Sequence, residues 1–383
     1  MTENINISRK ENVTVIGIGK LGLGLALLIE RGGYNVLGVD ISQEYVDNIN
    51  KKSIRFAEKQ YNELLEKSQN FEATTSLQKG LKHSDMIFIV VQTPNGGGKQ
   101  FYDHKILSDL LEKINREKPA NKHFIIGCTV MPHYIDKIAK ELIKDCENCS
   151  INYNPEFVAQ GDIIQGFENP DMILVGTDCE EQIKPKITEI YNTIIRRSSV
   201  VHFMKPLEAE IVKISLNGYI TTKISFANMV ADLCSEVGAN PFVVLEAIGE
   251  DARIGKKYFQ PGMSFGGPCF PRDTKALKQL MDQHGVPSNI LEATTFYNEH
   301  HIERDAVKLM MLNGKKEKIE MTDVCYKPNT RIPIIEESAT LKIAEILAKR
   351  YNKKVVIKDV PELITEVRKE YGSLFEYEIE TKE

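Results

Sequence analysis

The sequence predicts an α/β protein in three parts: an alternating strand–helix unit over residues 1–204, a helical middle over 205–312 and a small α/β unit over 313–383. Three observations predict it. Short apolar runs alternate with polar helical stretches through the first part, the pattern of a parallel sheet buried on both faces. One long helical pattern, 208–238, then runs without an internal proline. After the charged stretch GKKEKIE, the end of the chain reads strand, helix, strand.

In order, VTVIGIG (13–19) reads as a buried strand and LGLALLIERGG (23–33) as a helix stopped by a glycine pair. YNVLGVD (34–40), MIFIVVQTP (86–94), HFIIGCTV (123–130), SINYNPEF (150–157) and DMILVGT (171–177) continue the strand series. At 1.5 Å per residue the 208–238 helix runs on the order of 40 Å. Its apolar residues cover much of its circumference, which calls for a partner beyond its own domain, and a homodimer seam is the expected use. ESATLKIAEILAKRY (337–351) reads as the helix of the last unit and KVVIKDV (354–360) as its strand.

Composition bounds the function. The 383 residues suffice for roughly two to three domains, each with its own core. A net charge of −5 argues against nucleic-acid binding by bulk charge. No run approaches the ~18 apolar residues of a membrane span, and residues 1–12 are too polar for a signal peptide. Seven cysteines, scattered from Cys128 to Cys325, do not form a disulfide framework. A cytoplasmic protein is expected. Cys146 and Cys149 form a CxxC with no second pair to complete a zinc site, so no metal is expected. His300 and His301 lie in a helical stretch of alternating charge and read as a solvated face.

Gly17-Ile18-Gly19-Lys20-Leu21-Gly22 follows a strand and opens a helix, the context a dinucleotide fingerprint requires. Gly17 permits the turn, Gly19 lets backbone approach a pyrophosphate, and Gly22 lets helix pack on strand. Asp40 ends the second strand, where a carboxylate accepts from ribose hydroxyls; Ile41 and Ser42 offer no cation for a 2′-phosphate, which favours NAD over NADP.

The stretch 265–273, FGGPCFPRD, is the most unusual. Gly266 and Gly267 leave backbone open to a ligand. Pro271 suits the start of a helix, so Cys269 falls just before a helix N-terminus, where the dipole favours thiolate, with Asp273 about one turn further on. An isolated cysteine is more often a small buried hydrophobe; the flanking GG and P-x-D favour a nucleophile here. Lys213 and Asn217, spaced i, i+4, share one face of the long helix. Position alone leaves two readings for them: a snorkelling lysine with a register-setting asparagine, or a pair donating to an oxyanion.

With these residues in place, the chain resembles the UDP-glucose/GDP-mannose dehydrogenase family over about residues 12–360. The motifs that carry the resemblance are Gly17 to Gly22, Val91-Gln92-Thr93-Pro94, Cys128-Thr129-Val130, Asn154-Pro155-Glu156-Phe157, Lys213 to Asn217, Asp251-Ala252-Arg253-Ile254-Gly255, Phe265 to Asp273 and Tyr326-Lys327-Pro328-Asn329-Thr330. The resemblance implies a four-electron oxidation of a sugar C6 alcohol to a carboxylate with two NAD in succession. It further implies an N-terminal NAD domain, a central domain that dimerises through the helix 207–236, and a C-terminal domain holding the nucleotide. Cys269 then matches the family nucleophile that forms a thiohemiacetal and a thioester. Lys213 and Asn217 match the oxyanion-stabilising pair, Asp273 the aspartate working with that lysine, and Glu156 a general acid/base. Thr129 matches a residue near the reacting centre and nicotinamide, and Thr93 one beside the cofactor. Phe157 falls on the substrate side, Arg253 matches an arginine reaching substrate across the dimer, and Phe265, Gly266 and Gly267 match the loop that clasps the sugar.

The chain departs from the family pattern at several points. Gln160 stands where a glutamate is frequent, which implies slower thioester hydrolysis. Pro268 replaces a small residue and has no N–H to donate, and Arg272 stands where lysine is common. Glu336 falls where many relatives carry an arginine, so a carboxylate faces the phosphate position, with Arg331 near enough to substitute. The C-terminal unit is short. UDP-glucose is the expected substrate; GDP-mannose or a UDP-N-acetylhexosamine with the same chemistry, a non-catalytic nucleotide-binding relative and a two-electron hydroxyacid-type dehydrogenase are the alternatives.

Overall fold

The computed structural model describes residues 11–380 apart from Ala57, Lys99, Ala159, Gln160, Asn329 and Arg331. The expectations for Gln160 and Arg331 therefore lie outside the described residues. The chain divides into two compact units, Met1–Lys213 and Ile214–Glu383, and the boundary falls inside the long helix, Pro206–Val237.

The first unit is built on an eight-stranded sheet: β1 (Asn12–Ile16), β2 (Asn35–Val39), β3 (Phe71–Thr74), β4 (Met86–Ile89), β5 (His123–Ile126), β6 (Ser150–Tyr153), β7 (Met172–Gly176) and β8 (Val200–Met204). Their order is β3-β2-β1-β4-β5-β6-β7-β8. The inner strands are largely apolar because helices cover both faces; β4, for example, is buried along its whole length. Two clusters form the core. One packs the helix Lys20–Arg31 with Val13, Val15, Phe88 and Ile125; the other packs Ile87, Ile89, Phe124 and Ile126 against Leu107, Leu111 and Tyr134. The expected parallel sheet is found through β6. Beyond it, β7 pairs antiparallel with β6, and β8 is parallel to β7. Connection direction reverses at β1, so the crevice between β1 and β4 lies at the topological switch point, where ligands bind in such sheets.

In the second unit, the remainder of the long helix is followed by the helices Pro241–Gly249, Phe270–Gln283 and Asn289–Asn313. A three-stranded parallel sheet, β9 (Lys318–Met321), β10 (Lys354–Asp359) and β11 (Glu376–Ile379), has the order β11-β10-β9. Its core of Ile319, Val355, Ile357, Leu341 and Leu347 is continuous with Ile302 and Ala306 of the helix Asn289–Asn313. The end of the chain thus adds a strand to the expected strand–helix–strand unit.

His301 corrects an expectation. It is 5% exposed and hydrogen-bonded on both ring nitrogens, so only His300 lies on the solvated side. Among the described residues, no helix is long and apolar enough to cross a membrane.

Candidate active site

The glycines after β1 differ in what each faces. Gly17 has φ +84°, a backbone conformation that L side chains rarely adopt, and a Cβ there would lie 2.4 Å from Val90 O. A Cβ on Gly22 would lie 1.9 Å from Gly17 O, so helix and turn touch backbone to backbone. A Cβ on Gly19 would meet nothing within 4 Å. That open face stands at the N-cap of the helix Lys20–Arg31, where unpaired N–H groups and the dipole favour an anion. Asp40 follows β2, and its Oδ1 accepts from Ser42 N–H at 3.2 Å. Ile41 beside it is 97% exposed. Across the crevice, Thr93 donates its hydroxyl to Thr129 O at 2.8 Å, which joins the loops after β4 and β5. These residues fit a dinucleotide: an open pyrophosphate cradle, a ribose carboxylate and polar loops at the switch point.

Glu156 follows β6. Burial pushes its carboxyl up to about 8, although the Lys213 charge and a hydrogen bond with Tyr191 pull it down. The single Tyr191 hydroxyl proton also has Asn154 Oδ1 in reach, at 2.6 Å, and Asn154 donates to Leu174 O at 2.9 Å. The Lys213 ammonium donates to the Glu156 carbonyl and lies 4.6 Å from the centroid of the Phe157 ring. Lys213 is 8% exposed, so the snorkelling reading does not hold: the ammonium turns onto the Glu156-Phe157 segment.

In the second unit, Cys269 is the N-cap residue of the helix Phe270–Gln283, with Pro271 in the first turn. None of the seven cysteines, all among the described residues, is in a disulfide, and Cys269 alone is exposed. Cys128, beside Thr129, is the contrasting case: burial pushes its thiol up to about 12. Asp273 is 1% exposed, donates its backbone N–H to Cys269 O at 2.8 Å and accepts from the Asn217 amide. Gly266 and Gly267 press against the C-terminal unit. A Cβ on Gly266 would lie 2.2 Å from Glu337 O, and one on Gly267, at φ +83°, 2.2 Å from the Tyr326 ring. Phe265 is buried. Arg253 stands apart on an exposed turn, its guanidinium held by Asp251.

Sequence reasoning missed Tyr191, which hydrogen-bonds the Glu156 carboxyl, its neighbour Asn154, and the buried amides Asn228 and Asn298. Tyr191 sits among core isoleucines of its helix, and no local pattern separates it from packing. Asn154 stands in the Asn-Pro-Glu-Phe motif, where nothing local separates its role from that of its neighbours.

The sheet order and the glycine turn define a dinucleotide-binding fold in the first unit, and the second unit carries an exposed helix-capping cysteine. Residues 11–195 match the UDP-glucose/GDP-mannose dehydrogenase family, NAD binding domain, and residues 207–300 match its central domain. The chain is 30% identical over 356 residues to the UDP-glucose 6-dehydrogenase YwqF of Bacillus subtilis, covering 88% of this chain and 77% of that one. It is 28% identical over 353 residues to the UDP-glucose 6-dehydrogenase of Rickettsia felis, covering 91% and 77%. The solved UDP-glucose dehydrogenase from the hyperthermophilic archaeon Pyrobaculum islandicum superposes with a TM-score of 0.86 at 26% identity, covering 97% of this chain and 86% of that one. The chain belongs to the UDP-glucose/GDP-mannose dehydrogenase family and is an NAD-dependent nucleotide-sugar dehydrogenase. The hydroxyacid-type alternative falls with that assignment.

Proposed function

We propose that the protein oxidises the C6 alcohol of UDP-glucose to the carboxylate of UDP-glucuronate. The observation that carries this reading is Cys269: exposed, at a helix N-terminus, and separated by Pro268 alone from the close-packed Gly266-Gly267 turn. The UDP-glucose enzymes among the relatives, and the retained Asn-Pro-Glu-Phe motif, favour this sugar.

On this reading residues 1–204 hold NAD through Gly17, Gly19, Gly22, Asp40, Thr93 and Thr129, residues 205–312 carry the nucleophile, and residues 313–383 hold the nucleotide. Bound NAD would supply the hydride acceptor for each of the two oxidations, that of the C6 alcohol and that of the cysteine adduct. Cys269 attacks the C6 aldehyde, and the thiolate suits the task because it both adds and leaves readily near neutral pH. Its position at the helix terminus favours the anion. Lys213 and Asn217 stabilise developing negative charge on the sugar oxygen. Glu156, with a carboxyl held near neutral pH, serves as the acid/base of the adduct. Asp273 holds Asn217 and accepts a proton from the hydrolytic water. Phe157 and the Phe265-Gly266-Gly267 loop contact the sugar.

Arg253 reaches substrate in a second copy, in keeping with its exposed side chain. Tyr219, Phe226, Met229, Leu233 and Val237 form one exposed apolar stripe on the long helix, which supports a homodimer through 207–236. Sedimentation at micromolar concentration tests that assembly; a monomer would remove the role given to Arg253.

The deciding experiment counts NADH formed per sugar consumed, with UDP-glucose, GDP-mannose and UDP-N-acetylglucosamine offered separately. Two NADH with UDP-glucose is the expected result. Two NADH with another donor would reassign the sugar, and one would remove the second oxidation. No turnover with NAD still bound would favour a binding-only relative.

A further inference from the structure

The segment 262–266 leading into Cys269 has no helix or strand of its own, so its backbone polar groups need partners from elsewhere. Three buried side chains supply them. Gly262 N–H donates to Asn228 Oδ1 at 3.1 Å, and Asn228 Nδ2 donates to Met263 O at 3.3 Å. Phe265 N–H donates to Asn298 Oδ1 at 2.8 Å, and Asn298 Nδ2 donates to Phe265 O at 3.0 Å. Ser264 Oγ adds a bond to Asn298 O at 2.8 Å. His301 Nε2 lies 3.1 Å from Gly262 O, while its Nδ1 lies 2.8 Å from Asp232 Oδ2, so the ring is fixed from both sides.

These contacts are specific in chemistry. A peptide N–H only donates and a carbonyl only accepts, so each asparagine amide has a single orientation that satisfies both. Asn228 comes from the long helix; Asn298 and His301 come from one face of the helix Asn289–Asn313, three residues apart. Asn228 is 2% and Asn298 7% exposed, so water does not replace a lost bond cheaply.

We infer that Asn228, Asn298 and His301 are positioning residues that template the substrate loop and set the approach of the sugar to Cys269. They do not touch the reacting atoms; they act through Gly262, Met263 and Phe265. The inference rests on the reading of 265–267 as the sugar-clasping loop.

The test uses Asn298→Asp and Asn228→Asp in the full chain. Each keeps size and an acceptor for the peptide N–H, but turns a carboxylate oxygen towards a carbonyl that needs a donor. Hydrogen–deuterium exchange of the peptide covering 262–269 is expected to quicken about tenfold or more, the weight of one buried hydrogen bond. In parallel, KM for UDP-glucose should rise about tenfold while KM for NAD stays within about twofold, since the cofactor residues lie in the other unit. A merely structural role would lower the melting temperature without this split. Unchanged exchange overturns the inference whether or not the enzyme turns over. Faster exchange with an unchanged KM for UDP-glucose overturns the positioning role. A wild-type chain inactive on every nucleotide sugar would sink the proposed function instead, and the exchange result would still decide the templating.

Discussion

The Asn217 amide donates to the Asp273 carboxylate at 2.5 Å, tying the long helix to the helix that Cys269 caps. Asp273 is 1% exposed and Asn217 half-buried, so water competes little for the carboxylate end of the hydrogen bond. The carboxylate fixes which way the amide points. Replacing Asp273 with alanine frees Asn217 to rotate and removes the group proposed to accept a proton. We expect kcat for the nucleotide sugar to fall about 10²–10³-fold, the usual cost of losing a preorganised polar group, with NAD affinity unchanged by calorimetry. A loss confined to KM would assign the pair to binding alone.

Gly19 faces open space and Gly22 faces packed backbone. A methyl group at Gly22 collides with Gly17 O, whereas one at Gly19 enters open space. Gly22→Ala should therefore lower the melting temperature by several degrees, about 1–3 kcal/mol of overpacking. Gly19→Ala should melt with wild type and yet bind NAD at least about tenfold more weakly, because its methyl group takes the room of the pyrophosphate. Equal NAD affinity in Gly19→Ala would move the pyrophosphate elsewhere.

Much of this was legible in the sequence because each signal is local. The glycine turn, the helix start at Pro271 and the long apolar helix announce themselves within a few residues. What escaped is set by distance along the chain or by exposure. The strand β8 is an edge with a half-exposed pattern, and β11, Glu-Tyr-Glu-Ile, carries too few apolar residues to stand out. His301 was read as solvated because Glu299, Glu303 and Arg304 surround it in sequence. Its partners, Asp232 and Gly262, are 69 and 39 positions away. The Asn298–Phe265 pairing spans 33 residues and leaves no periodic trace.

Cys269 should be the first thiol to react. It is exposed, and the other six are buried or partly so; burial also pushes up the thiols of Cys128, Cys146 and Cys149. Brief treatment with iodoacetamide near neutral pH is expected to add one carbamidomethyl group, at Cys269, in step with loss of NADH production. Cys269→Ala should lose turnover at least about 10³-fold and stay unlabelled. Labelling elsewhere first, or an active alanine variant, would remove the thiol from the mechanism.

Glu156 makes stability depend on pH in a stated direction. Its carboxyl is raised from the ordinary 4.5 to about 8, first by desolvation, with Lys213 and Tyr191 opposing. The folded protein therefore binds this proton more tightly than the unfolded chain does. Between those two values the folded state carries more protons, so this group's contribution to stability falls as pH rises and levels off above about 8. Glu156→Gln has no proton to lose. Its melting temperature relative to wild type should climb from pH 5 to pH 9, while its turnover is reduced about 10²-fold or more for want of the acid/base. A difference in melting temperature that is flat with pH would mean the carboxyl is ionised across the whole range. Lys213, whose ammonium sits on the Glu156 carbonyl, would then be holding an ion pair rather than a neutral acid.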